Sequence, residues 1–362
     1  MAGAFTIGDV TVPAGERARG TLTAVTVAGS QVVKIPVIAL NGKRDGPTLL
    51  VMAAVHGREV CSVGAVLDAI GHMDPLHMSG RVIAIPVANP LAVQAGTYIS
   101  PHDDVNLSPA ISLSSDPQGS VTNRIAAAIQ RAVHAADYVI DVHANTLQSI
   151  PQVLTARSAA ADEHARRECV RFARAFGFTV VEDARRSTRR YATEMGKRAF
   201  TVELAGDRFM LDNITRAGTR GILNCAKTIG MLAGDPEPQA GVGPILEGDF
   251  AHADLRTNRG GFLRAHTEVG VFTRQGERVA TIFDFYGDTV QAVEMPVDGY
   301  VSSYVCGYLS QSWAVCEGDI VAYVISPLTG DGGQPAPPRG DHHGVTPAAP
   351  VDATRGRPRP QG

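Results

Sequence analysis

Cysteine is scarce in this chain. The 362 residues include five, at positions 61, 169, 225, 306 and 316, with no C-x-x-C among them. An odd, scattered set argues against a disulfide framework and against a cysteine-built zinc site, and a reducing cytoplasm is the expected compartment. An excess of one charge is missing too: 33 Lys and Arg against 36 Asp and Glu leave a net −3. Nucleic acid and anionic membranes attract a positive excess, so neither is an expected partner. No apolar run reaches the roughly 18–20 residues of a membrane-spanning helix. Residues 1–20 lack the basic-then-apolar pattern of a secretory leader, so none is expected. Hydrophobic residues make up 44% and charged residues 19%, a balance that supports a proper core in one large domain or two ordinary ones.

Two apolar runs, 48–55 (TLLVMAAV) and 80–87 (GRVIAIPV), are nearly continuous, as strands buried on both faces are. Residues 59–73 between them have helical spacing, which predicts a β-α-β unit. Alternation over 20–40 predicts edge strands; helices are expected over 121–134, 161–176 and near 213–232, and strands over 137–142 and 199–204. The fold class is therefore α/β with a parallel or mixed sheet, over residues 1–235. A Pro/Gly-rich stretch, 234–243, reads as a linker, and short strands with turns over 244–327 predict an all-β unit. Residues 328–362, rich in Pro and Gly and poor in large apolar side chains, are expected to be a disordered tail.

Strand 48–55 runs straight into His56-Gly57-Arg58-Glu59. The carboxyl end of a strand is where open α/β sheets bind ligands. A three-residue spacing at a helix start lets His56 and Glu59 converge, with Gly57 allowing the turn. A second strand ends in Asp141-Val142-His143 and a third in Thr201-Val202-Glu203-Leu204. Two His and one carboxylate, with a position left open, are the ligand set of a catalytic zinc; a nearby free carboxylate, Glu203, can act as base toward zinc-bound water. Asp141 can accept the second N–H of a ligand imidazole. Each residue also has a bland reading: His-x-x-Glu arises by chance, His143 can be a satisfied core histidine, and Glu203 an ordinary strand-end carboxylate. Their coincidence at three strand ends in one domain strengthens the case for a metal site and leaves the bland readings open.

The order and spacing of several motifs resemble the succinylglutamate desuccinylase/aspartoacylase family, a branch of the zinc carboxypeptidase superfamily. These are His56-Gly57-Arg58-Glu59, Ala88-Asn89-Pro90-Leu91-Ala92, Asp116-Pro117-Gln118-Gly119-Ser120, Asp141-Val142-His143 and Val202-Glu203-Leu204, followed by Arg259-Gly260-Gly261-Phe262-Leu263-Arg264-Ala265, Gly276-Glu277 and Pro296-Val297-Asp298-Gly299. The resemblance implies an α/β/α sandwich with a small C-terminal β-barrel-like unit narrowing the entrance. It also implies one Zn2+ per chain on His56, Glu59 and His143, and hydrolysis of a small N-acyl substrate with Glu203 activating water. The C-terminal unit resembles carrier modules, but no Lys follows Lys227, so gating or homo-oligomer formation is the expected role.

One departure matters. The family's substrate loop carries an Asn-Arg pair that holds a carboxylate and an upstream arginine that polarises the scissile carbonyl. Here residues 96–110 offer Asn106 in place of the asparagine, but no arginine lies between Arg81 and Arg124. Asn106, Tyr98, His102 and Arg58 are the expected substrate contacts. Either the substrate lacks the carboxylate that the family clamps, or Arg58, Arg189, Arg190 or Arg208 supplies the lost charge from other loops, although Arg185-Arg186 and Arg189-Arg190 otherwise read as a solvated face. The alternatives are a different cleavage at the same metal (ester, peptide or non-hydrolytic C–N) or a non-catalytic ligand-binding module.

Overall fold

A computed structural model describes residues 3–113, 118–206, 208–305 and 313–328 of the chain. The tail beyond residue 328, and Asp116 and Pro117 of the motif before the 121–134 helix, lie outside the described residues. The two continuous apolar runs lie side by side within a twelve-stranded mixed sheet: strand Arg44–Ala53 pairs parallel with both Ser79–Ile85 and Tyr138–Asn145. Strand Arg198–Ala205 pairs parallel with Tyr138–Asn145 on the far side, with Glu203 opposite His143. Helix Val60–Gly71 links the first two strands.

Both faces of this sheet are covered, and strand alternation decides which residue meets which layer. Leu49, Val51 and Ala53 pack with Val66, Phe172 and Ile222, from helices Val60–Gly71, Glu163–Ala175 and Asp212–Thr228. Leu50 and Met52 face the other way, toward Ile111, Ile125 and Ile129 of helices Leu107–Ser112 and Val121–Ala135. The result is an α/β/α sandwich. None of its helices is long and apolar enough to cross a membrane among the described residues.

Two short strands, Gln152–Thr155 and Thr179–Glu182, are additions to the sequence-based expectation. They carry the sheet outward from Arg198–Ala205, and Asp249–Arg256 then joins parallel to Thr179–Glu182. Ile320–Pro327, Gly299–Tyr304 and Phe272–Thr273 follow antiparallel, so part of the C-terminal region continues the central sheet. The rest is a four-stranded sheet of Thr289–Glu294, Arg278–Phe283, Gly261–Ala265 and Ala314–Val315. Leu263, Ile282, Val293, Val301 and Val324 form the core between the two.

Candidate metal centre

The chain leaves strand Arg44–Ala53 through Ala54, whose φ of 50° lies in the left-handed region that non-glycine residues seldom adopt. Such strain persists where the surroundings over-determine it, and it gathers at functional sites. Two residues later comes His56. Gly57 is then required by space: a Cβ there would sit 2.1 Å from the carbonyl carbon of Ala92, in helix Pro90–Ala95. Gly57 N–H also donates to the Tyr98 carbonyl at 3.3 Å, which fastens the loop after that helix to the histidine segment.

The three expected ligands meet. Ligand atoms of His56, Glu59 and His143 all lie within 4.8 Å of one another, and all three residues are buried. His56 Nδ1 is 2.6 Å from Glu59 Oε1, and His143 Nδ1 is 3.0 Å from Glu59 Oε2 and 3.1 Å from His56 Nδ1. Burial works to raise the Glu59 carboxyl, but the two imidazoles beside it win and bring it down to about 2. Burial works to lower His143, yet Asp141 and Glu59 hold its imidazole well above its usual value. Asp141 is completely buried, and neither of its oxygens makes an aligned hydrogen bond. Its Oδ2 lies 3.0 Å from His143 Nε2, in ion-pair range though out of line for a hydrogen bond.

Two imidazoles and a carboxylate gathered this closely, with the Asp141 carboxylate buried behind them and without an aligned hydrogen bond, form a donor set that a cation satisfies. The donor set thus fits a divalent ion, and two N donors with one O donor is the catalytic zinc pattern.

Glu203 enters the same cavity from its strand, beside His143. It keeps part of its surface on the cavity with protein on its other sides. Loss of solvation pushes its carboxyl up to about 7, against the pull of His143 and with Glu59 adding to the rise. That range suits a group that accepts and returns a proton near neutral pH.

The cavity holds about 200 Å³. Tyr98, Asn106 and Ser108 line one side, Asp183, Arg185, Arg186 and Arg189 another, and Val305 and Tyr323 come from the C-terminal strands. Tyr98 stacks on His56 with centroids 3.8 Å apart, and Asn106 Oδ1 lies 3.1 Å from His56 Nε2. Neither His102 nor Arg58 lines the cavity: His102 is exposed on its turn, and the Arg58 guanidinium sits over the Tyr98 ring, 5.8 Å from its centroid.

The reading of 185–190 as a solvated face needs correcting. Arg189 is only 4% exposed, and its Nη2 is 2.6 Å from Asp183 Oδ2. Burial would raise the Asp183 carboxyl, but the Arg189 charge and the Arg185 hydrogen bonds hold it far below the usual carboxylate range. Arg185 pairs with Asp183 at 2.7 Å and lies over the Tyr323 ring. Arg186 is exposed on the cavity and has no hydrogen-bond or ion-pair partner among the described residues. Arg190 pairs with Glu194 away from the cavity. Four closely spaced basic residues look like a solvated run; only Asp183, two residues before Arg185, hinted that part of it turns inward.

The α/β/α sandwich thus brings His-x-x-Glu, a second His and a further glutamate together at adjacent strand ends. Residues 45–229, just over half of the chain, match the family described as the succinylglutamate desuccinylase/aspartoacylase catalytic domain. The chain belongs to that family, whose members are deacylases. It is similar to the N-alpha-acetyl-L-2,4-diaminobutyric acid deacetylase of Halomonas elongata, with 29% identity over 274 residues, 72% of this chain and 78% of that one. In structure it is similar to a succinylglutamate desuccinylase/aspartoacylase from Rhodobacter sphaeroides (TM-score 0.77, 25% identity, 89% of this chain and 99% of that one). The ectoine utilization protein EutE (DoeB) from Ruegeria pomeroyi, solved with product bound, shares the fold at TM-score 0.74 and 23% identity, over 87% and 97% of the two chains.

Proposed function

We propose that this protein is a zinc-dependent amidohydrolase that removes the acyl group from a small N-acylated amino acid or amine. The observation that carries this reading is the convergence of His56 Nδ1, His143 Nδ1 and both Glu59 oxygens. A zinc ion held by these three residues supplies Lewis acidity toward the amide carbonyl and makes an attacking water more acidic. Glu203 takes the proton as water adds to the carbonyl carbon, and returns it to the nitrogen as the C–N bond breaks, giving an acid and an amine. Arg186, unpaired on the cavity wall, suits a substrate that carries a carboxylate, and it stands in for the arginines absent from residues 96–110. The similarity to a diaminobutyric acid deacetylase supports N-acetylated diamino acids as the first compounds to test.

The same reading takes residues 1–235 as the catalytic unit, 244–327 as the unit narrowing its entrance, and 328–362 as a tail. It also takes the protein as cytoplasmic, able to form a homo-oligomer, and without a nucleic-acid or membrane partner. The test is Glu203→Gln. Zinc content should stay at one per chain while release of the free amine falls by about 10²–10⁴-fold, the contribution typical of a general acid–base. A Gln variant with near-normal turnover would remove Glu203 from the mechanism. Turnover in ¹⁸O-water should label the released acid; unlabelled acid would point to a non-hydrolytic cleavage instead.

A further inference from the structure

His56 is gripped on the side away from Glu59, and the grip decides which of its nitrogens carries the proton. Asn106 caps helix Leu107–Ser112, its Oδ1 accepting from Ser108 N–H at 3.0 Å. A backbone N–H can only donate, so the atom facing it is the amide oxygen and not the amide nitrogen. That same oxygen lies 3.1 Å from His56 Nε2. An oxygen can only accept there, so Nε2 carries a hydrogen, and in the neutral ring Nδ1 is then the nitrogen whose lone pair faces Glu59 and His143. Tyr98 comes from the same loop. It stacks on the imidazole with 15° between the rings, while its carbonyl holds Gly57 N–H at 3.3 Å. Stacking fixes the plane of the ring, and Asn106 fixes its rotation within that plane.

We infer that Asn106 is a positioning residue for His56: it sets the imidazole's tautomer and rotation for metal binding, and its side-chain oxygen is committed to that task. The competing tautomer explains why such a residue is needed. A hydrogen on Nδ1 would find Glu59 Oε1 at 2.6 Å and form a good hydrogen bond, blocking the metal's place. Asn106 gives the hydrogen an acceptor on the opposite nitrogen at 3.1 Å, so a metal taking the Nδ1 lone pair leaves the ring's one N–H satisfied. The family-derived expectation of Asn106 as a substrate contact therefore gives way to a role one step further from the substrate. The inference rests on the metal reading above.

The test uses the full chain, with Zn2+ affinity measured by competition with a chromophoric chelator. The second readout is the slowly exchanging His56 Nε2–H resonance of the zinc-loaded protein. Asn106→Ser keeps an oxygen to cap Ser108 N–H but is too short to reach His56; Asn106→Asp keeps both contacts. The Ser variant should bind Zn2+ about 10–100-fold more weakly, the range for partners of this kind, and lose the protected resonance. The Asp variant should retain the resonance and bind at least as tightly as the wild type. A Ser variant with Zn2+ affinity within threefold of wild type, and a raised KM instead, would overturn the inference while leaving the metal reading intact. A wild-type chain that does not bind Zn2+ would overturn the metal reading and this inference with it.

Discussion

Asp183→Ala is expected to cost about 3–5 kcal/mol of unfolding free energy, the usual loss when one partner of a buried ion pair is removed. The reason lies in what is left behind. Arg189 is 4% exposed, and Asp183 Oδ2 stands 2.6 Å from its Nη2. Without that carboxylate the guanidinium keeps the Asp183 carbonyl at 3.0 Å and Thr201 Oγ1 at 3.4 Å, while its Nε already has no partner. A buried positive charge would then rest on two neutral acceptors, one of them distant. Arg185 adds little to the loss, since 43% of its side chain is exposed and water can replace Asp183. The assay is urea unfolding followed by far-UV circular dichroism at pH 7. Asp183→Ala/Arg189→Met, which removes both charges and keeps volume, should recover most of the loss. The pH dependence has a definite sign. Asp183 is depressed in the folded state, so its stabilisation is complete above the unfolded carboxylate value of about 3.9 and fades as pH falls below it. The gap between wild type and Asp183→Ala should therefore narrow from pH 5 to pH 3. A single variant within about 1 kcal/mol of wild type, or a double variant at the sum of its parts, would refute the argument.

The remaining expectations concern the metal and the substrate. Chelation should abolish amide hydrolysis and lower the melting temperature, and Zn2+ at about 100 times its Kd should restore about 2.7 kcal/mol of stability. Arg186→Ala should raise KM about tenfold or more for substrates bearing a carboxylate, since a charged hydrogen bond is worth about 1.5–3 kcal/mol; kcat, and KM for substrates without a carboxylate, should change little. Gly57→Ala forces a methyl group to within 2.1 Å of a backbone carbonyl carbon, so loss of Zn2+ affinity should accompany a lower midpoint in thermal unfolding.

The sequence was most readable where burial is two-sided and elements are long. The run at 48–55 has no alternation because Leu49 and Leu50 each meet a different helical layer, and that continuity marked it as a central strand. His56, Glu59, His143 and Glu203 could be singled out because each follows or ends such a run. Strands Gln152–Thr155 and Thr179–Glu182 escaped notice because four residues give no period to detect; neighbours on both sides hold them in place. Asp249–Arg256, DFAHADLR, lies in the expected all-β stretch without being singled out as a strand, and pairing with Thr179–Glu182 and Ile320–Pro327 makes it one. Asn106 was legible as a substrate contact but not as a partner of His56, because capping and imidazole contact are set by distance in space, fifty residues from His56 along the chain.

The displaced positive charge follows from how these pieces depend on one another. Residues 96–110 hold His56 twice, through Tyr98 and Asn106. That loop carries no arginine. In this chain the guanidinium groups instead approach from the segment after strand Thr179–Glu182, where Asp183 neutralises Arg189 inside the wall and leaves Arg186 facing the cavity. Tyr323, on strand Ile320–Pro327, stacks against Arg185 at 5.0 Å and closes the same wall. The cavity's charged side is therefore assembled from the α/β sandwich and the C-terminal strands together, so changes in Ile320–Pro327 should alter substrate affinity before they alter metal binding. Zn2+ affinity and KM measured on Tyr323→Ala separate the two: KM should rise while Zn2+ affinity holds, and the reverse order would place the charged wall's support elsewhere.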